Sequence, residues 1–431
     1  MKTLAMCILP VGVLLVGFAA ASAHAQSGRA AAGAVFVGTN HNNTFDRSQP
    51  ANQVAMYRRA ADGSLTLLGY ADTGGQGSGP SRRFAGDGLG SAHSVQLSRD
   101  RRLLFVTNAG SDNVSVFRVL RNGLQLTDLK PTGAFPNSVT QAGNLVYVLN
   151  SAGAGSITGF RLSNRGTLNP IPDSTRALGA NQNSPPDTLF NPTQVSFSPD
   201  GRQLVVTIKD GPPAGSAVPG FTVPTGPGRV LVFGVGRDGR PSASPTQTNL
   251  ENDGPFGFSF DRRGNLLIAL FVGGGPDLTA AAGSFRINRD GSLGPITRVV
   301  PDTQLDSCWL ENNGQYAWTA NYTSGTISSF RIGRNGSLTL LNPRAGITED
   351  LPGLPGKVQG STPLDLGISP DGRFLYNVLP GSGRVGAWRI NPDGSLGKIG
   401  EFPGLPETVN GDMAPEERFG PGGSPAGIAV L

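Results

Sequence analysis

Cysteine is nearly missing from this chain of 431 residues, which has only Cys7 and Cys308. A disulfide scaffold and a cysteine-rich zinc site are thereby excluded. Histidine is almost as scarce, with three in all, and neither His-x3-His nor a calcium-loop pattern occurs. No metal and no cofactor is therefore expected. Charged residues make up 15%, and only five of the 35 basic residues are lysine. Beyond the first 25 residues no apolar run approaches the ~20 residues needed to cross a bilayer. Long helical stretches are also missing, because 63 Gly and 34 Pro interrupt the chain throughout. The glycines follow no Gly-X-Y period, so collagen is excluded, and recurrent β-branched clusters argue against long disorder. An all-β protein of short strands and many turns remains.

Residues 1–25 read as a secretory signal peptide. Lys2 supplies the charge, Leu4–Ala21 the apolar stretch and Ala23-His24-Ala25 the small-x-small cleavage pattern, with the cut before Gln26. The mature protein is expected to be exported to a periplasm or secreted, with 26–32 a linker and 33–431 a single domain. Cleavage removes Cys7, and Cys308 sits in an apolar segment that reads as a buried, inert thiol.

What the chain has in abundance is a repeat. An aromatic residue followed six positions later by Gly occurs at Tyr57/Gly63, Phe117/Gly123, Phe160/Gly166, Phe233/Gly239, Phe285/Gly291, Phe330/Gly336 and Trp388/Gly394. Asp or Asn precedes the Gly in all but one, which is the chemistry of a tight hairpin. Seven short apolar strands lie upstream: Val35–Val37, Leu103–Asn108, Leu145–Asn150, Leu204–Ile208, Leu266–Phe271, Tyr316–Asn321 and Phe374–Leu379. Six more precede all but the first of these: His93–Ser98, Ser138–Gln141, Gln194–Ser198, Gly257–Asp261, Cys308–Glu311 and Asp365–Ser369. The seventh is the C-terminal Gly427–Leu431. With strands A to D in chain order, each unit is a four-stranded antiparallel meander, and seven of them predict a seven-bladed β-propeller. The last strand supplies the missing strand A of the first blade and closes the ring.

The arginines recur with the repeat and are spread around the ring, so no concentrated basic face for nucleic acid is expected. The three Trp fall in repeat strands, which leaves little support for a quinone-binding redox propeller. The A–B and C–D turns are short. The long segments 40–52, 70–90, 172–191, 209–228, 271–283, 342–361 and 400–423 all belong to the opposite, upper face, which points to a site at that mouth of the channel. His41 lies in the first of these, and His93 starts the second strand A. Asn40, Asn108, Asn150 and Asn321 end B strands, where an Asn holds a turn or lines a polar ring. Lys209 is the cation in the same series.

Ala92-His93-Ser94-Val95, with Leu104–Asn108 after it, the Ser-Pro-Asp-Gly-Arg turns at 198–202 and 369–373, and Asp-Gly-Ser-Leu at 62–65, 290–293 and 393–396 resemble the lactonase family of seven-bladed propellers. That family includes bacterial phosphogluconolactonase and fungal carboxymuconate-lactonizing enzyme. The resemblance spans 33–431 and implies opening or closing of a lactone ring without metal, by a His, a Glu and arginines on one face. His93 takes the family's histidine position and Lys209 its fourth-blade Arg. Ser91, Asn137 and Ser151 stand where the family tends to have a second His, an Arg and a Glu. The resemblance thus nominates His93 and Lys209 for catalysis. His41, Asn40, Asn108, Asn137, Asn150, Asn321 and Asp365 are nominated for substrate binding, with a small lactone or acid as ligand and a monomeric protein. The alternative is a non-catalytic propeller whose upper loops bind a protein, a glycan or a small ligand.

Overall fold

The computed structural model describes residues 33–44, 46–79, 87–209, 227–250, 253–273, 280–348, 361–407 and 423–431. The expected signal peptide and linker lie outside them, as does much of the long upper-face segments. No helix among the described residues is long and apolar enough to cross a membrane.

Seven antiparallel sheets form the ring. Blade 1 is Ala426–Val430, Gly33–Gly38, Gln53–Arg59 and Leu65–Asp72, so the C-terminal strand does complete the first blade. The closing register pairs Val35 with Val430, Phe36 with Ala429 and Val37 with Ile428. Innermost strands of the other blades are Val95–Leu97, Pro136–Ala142, Pro192–Phe197, Asp253–Phe260, Ser307–Asn312 and Leu366–Ile368. Blade 3 departs from four strands: its outer strand is split into Leu168–Pro170 and Arg176–Ala177, both on Ser156–Leu162.

The repeat signature has a direct physical reading. Six of its glycines (Gly63, Gly166, Gly239, Gly291, Gly336 and Gly394) adopt φ between 80 and 89°, where a Cβ would strain the C–D hairpin. Gly123 departs because it already pairs with Leu120 as the first residue of strand D, leaving Arg121-Asn122 as the turn. The seven repeat aromatics are all buried, at most 2% exposed. They pack across blade boundaries: Phe160 of blade 3 joins Phe105 and Val116 of blade 2, and Phe233 of blade 4 joins Tyr147 and Ile157 of blade 3. Each such side chain contributes ~1.5–3 kcal/mol of burial. Stacked blades therefore leave the innermost strands free to present polar side chains to the axis.

Candidate functional site in the central channel

His93 does not lie in its strand. It sits two residues before Val95 with φ 65°, a left-handed conformation that costs a non-glycine residue about 1–2 kcal/mol. The surroundings hold it there. Its carbonyl accepts the Val139 N–H of blade 3 at 3.0 Å, and its own N–H points at Asp365 Oδ1 of blade 7 at 3.4 Å.

The imidazole crosses the channel. Nε2 lies 3.1 Å from Glu311 Oε1 on strand A of blade 6, and Nδ1 lies 3.1 Å from Gln194 Nε2 on strand A of blade 4. Gln194 is gripped by the backbone of Phe258 in blade 5. The Phe258 N–H donates to its Oε1 and its Nε2 donates to the Phe258 carbonyl, both at 2.8 Å. Asp365 closes the circle by accepting the Gly427 N–H of blade 1 at 2.9 Å. Four residues, His93, Gln194, Glu311 and Asp365, through side chains and the His93 backbone, thus tie all seven blades together. His93 and Glu311 keep 19 and 25% of their side-chain surface exposed, so solvent reaches the pair.

Glu311 faces a basin at the A–B-turn mouth, opposite the mouth the long loops indicated. The basin, about 740 Å³, is lined by residues such as Gln96, Phe260, Arg262, Asn312 and Ile428. Its charged lining is Asp261, Glu311 and Asp371 against Arg262.

Lys209 lies elsewhere. It follows strand B of blade 4 (Gln203–Ile208), is 3% exposed, donates to the Thr188 carbonyl and sits 4.3 Å from the centroid of Phe256. Its cavity of about 20 Å³, also lined by Asp87, Asp306, Cys308, Trp309 and Tyr322, has room for one water. Burial lowers the Lys209 pKa and pushes Asp87 up to about 6, with the nearby lysine pulling Asp87 back. Cys308 is buried as expected, and burial next to Asp306 drives its thiol well above the usual range. No hydrogen bond or ion pair among the described residues joins Lys209 to His93. Lys209 contacts Phe256 and Gln194 contacts Phe258, two positions along one strand, with the Trp309 ring tilted against Phe256, centroids 4.9 Å apart.

The remaining candidates do not converge on His93, except Asp365. His41 is half-buried; burial lowers its pKa to about 4, and its carbonyl accepts the Gly77 N–H. Asn40 exchanges two hydrogen bonds with Ser78. Asn108 donates to Asn113 and Ser115, Asn150 to Ser156 and Thr158, and Asn321 to Thr326 and Ser328. Each of these last three braces the B–C turn of its blade, the turn-holding option. Asn137 is fully buried and donates to the Pro192 carbonyl.

Sequence reasoning missed Glu311, Gln194 and Asp87. The signal for the first two was present: a carboxylate or amide in an innermost strand has the channel as its polar outlet. Among the described residues no group of three His, Cys, Asp or Glu is placed to hold a metal ion.

Comparison with known proteins agrees with this architecture. Among solved structures, the Pseudomonas aeruginosa periplasmic gluconolactonase is 18% identical, with TM-score 0.62 over 93% of this chain and 99% of its own. A provisionally assigned 6-phosphogluconolactonase of Bacteroides uniformis gives the same identity, TM-score and coverage. A Lactobacillus plantarum protein is 15% identical, with TM-score 0.64 over 93% and 99%. At such identities the likeness speaks for the fold. No curated protein matches the chain. Residues 48–272 and 270–406 match the family described as lactonase, seven-bladed β-propeller. The chain belongs to that lactonase family of seven-bladed β-propellers.

Proposed function

We propose that the protein opens the ring of a lactone of a small organic or sugar acid, or closes it in reverse, at the His93–Glu311 pair. The observation that carries this reading is a carboxylate hydrogen-bonded to a histidine at 3.1 Å, both side chains partly exposed and the carboxylate lining a basin about 740 Å³ in size. Such a pair can move a proton at a reacting centre. In hydrolysis, Glu311 takes a proton from the water that attacks the lactone carbonyl. The ring C–O bond then breaks, and the departing alkoxide receives that proton. His93, with Nε2 3.1 Å from Glu311 Oε1, holds the carboxylate in place. Lys209, sealed among aromatic rings, supports the channel wall in this scheme.

The basin also suggests a substrate charge. Three carboxylates against one guanidinium, Arg262, which itself donates to the Asn313 carbonyl, favour an uncharged lactone over a phosphorylated one. Turnover of glucono-lactone is expected to exceed that of its 6-phosphate. Glu311→Gln is expected to lower kcat by about 10²–10⁴-fold, the usual worth of a general base, and His93→Ala should also reduce it. If the wild-type protein turns over no lactone, or both variants keep its rate, the catalytic reading fails and the ligand-binding propeller takes its place.

Export follows the same reading. The leader at residues 1–25 supports it, as does the periplasmic location named for the Pseudomonas relative. Protein recovered outside the cytoplasm should begin at Gln26 by N-terminal sequencing, and an intact Met1 would count against export.

A further inference from the structure

A neutral imidazole carries its one proton on either nitrogen, and the neighbours decide which. Around His93 that decision traces back to a backbone. Phe258 sits within strand A of blade 5 and pairs with Ile268. Its N–H and C=O both face the Gln194 side chain at 2.8 Å. An amide meets that pair in one orientation only: Oε1 on the N–H and Nε2 on the carbonyl. The flipped amide would oppose donor to donor and acceptor to acceptor. One N–H of Gln194 Nε2 is thereby left aimed at His93 Nδ1, 3.1 Å away. A nitrogen facing a donor must be an acceptor, so the His93 proton belongs on Nε2, facing Glu311 Oε1.

We infer that Gln194 is a positioning residue that locks His93 in its Nε2–H tautomer and so directs a donor at Glu311. Four groups then form a chain with every donor pointing one way: Phe258 N–H to Gln194, Gln194 N–H to His93, His93 N–H to Glu311. Hydrogen bonds aligned in this way polarise one another, and the chain ends on the carboxylate exposed to the basin. Burial supports the lock. Gln194 is fully buried, so no solvent competes for its amide. The left-handed backbone of His93 supports it as well, because strain held at one residue marks a place where its side chain is constrained. The catalytic consequence, though not the tautomer itself, rests on the function proposed above.

The test uses the full mature protein with ring-¹⁵N histidine and a two-bond ¹H–¹⁵N correlation, with His93→Gln assigning the signals. Wild type should show His93 Nδ1 as a bare nitrogen and Nε2 protonated. Gln194→Glu puts a carboxylate where the amide donor was, so Nδ1 should gain a proton. Gln194→Met, which neither donates nor accepts, should populate both tautomers and serves alone if the Glu variant does not fold. A protonated Nδ1 in wild type, or an unchanged pattern in the folded variants, overturns the inference. A second readout separates it from the function. On a lactone the wild type hydrolyses, Gln194→Met should lose kcat by roughly 10²-fold or more, a misplaced tautomer costing up to about 10⁴ in a serine-protease triad, with KM little changed. If wild type turns over no lactone, the proposed function falls while the nitrogen spectrum still decides the role of Gln194.

Discussion

At Asp365 a single carboxyl group joins three blades, accepting N–H groups from His93 and Gly427 while anchored in blade 7. Two backbone donors favour its charged form, but burial and the nearby Asp87 outweigh them, and its pKa is pushed up to about 7 from an ordinary 3.8. A carboxyl pKa raised on folding means that the folded state holds the extra proton. The associated stability is complete below the ordinary value and is lost as pH rises from about 4 through 7. The shift corresponds to a loss on the order of a few kcal/mol. Asp365→Asn should therefore flatten the decline in unfolding free energy between pH 4 and 8, with Asp87 retaining a smaller slope. Denaturant melts at both pH values check this, and an unchanged slope would exclude Asp365 as its source. The sequence marked Asp365 and His93 by position and motif. For Glu311 and Gln194 the innermost-strand position pointed only to the channel, since nothing local distinguishes a carboxylate there that meets a histidine from one that meets water.

At the scale of elements, the strands and hairpins were legible because their determinants are local. Asn-Gly and Asp-Gly turns carry the required φ within the repeat, and the aromatic six residues earlier sets which face is buried. Gly123 shows the limit, since the same motif there makes a different turn once strand pairing begins at the glycine itself. The closing strand is the element most exposed to a test. Ala426, Ile428, Ala429 and Val430 are at most 9% exposed, and Gly427, at φ 78°, packs so closely that a Cβ would lie 2.2 Å from Ser94 Oγ. Deleting 426–431 removes this burial, the pairing with Gly33–Gly38 and one partner of Asp365. At ~1.5–3 kcal/mol for each large side chain, the loss should lower Tm by roughly 5 °C or more. A melting temperature within a degree or two of wild type would refute the closure.

For the whole molecule, the decisive fact is how far apart in sequence the channel residues are. His93 is 101 residues from Gln194, 218 from Glu311 and 272 from Asp365. Ring closure brings these positions within hydrogen-bond reach, because seven innermost strands share one axis. The same geometry gives other candidates different work: Lys209 closes its own small cavity, and Asn108, Asn150 and Asn321 donate their side-chain hydrogen bonds within their own blades. By itself the sequence determined the all-β class, the seven repeats, the strand that closes the ring and the family, all of which rest on periodic local chemistry. Only the tertiary structure decided which polar side chains meet, which mouth of the channel they face and which nitrogen of His93 bears the proton. Those depend on distances between strands that are remote in sequence, and no local pattern encodes them.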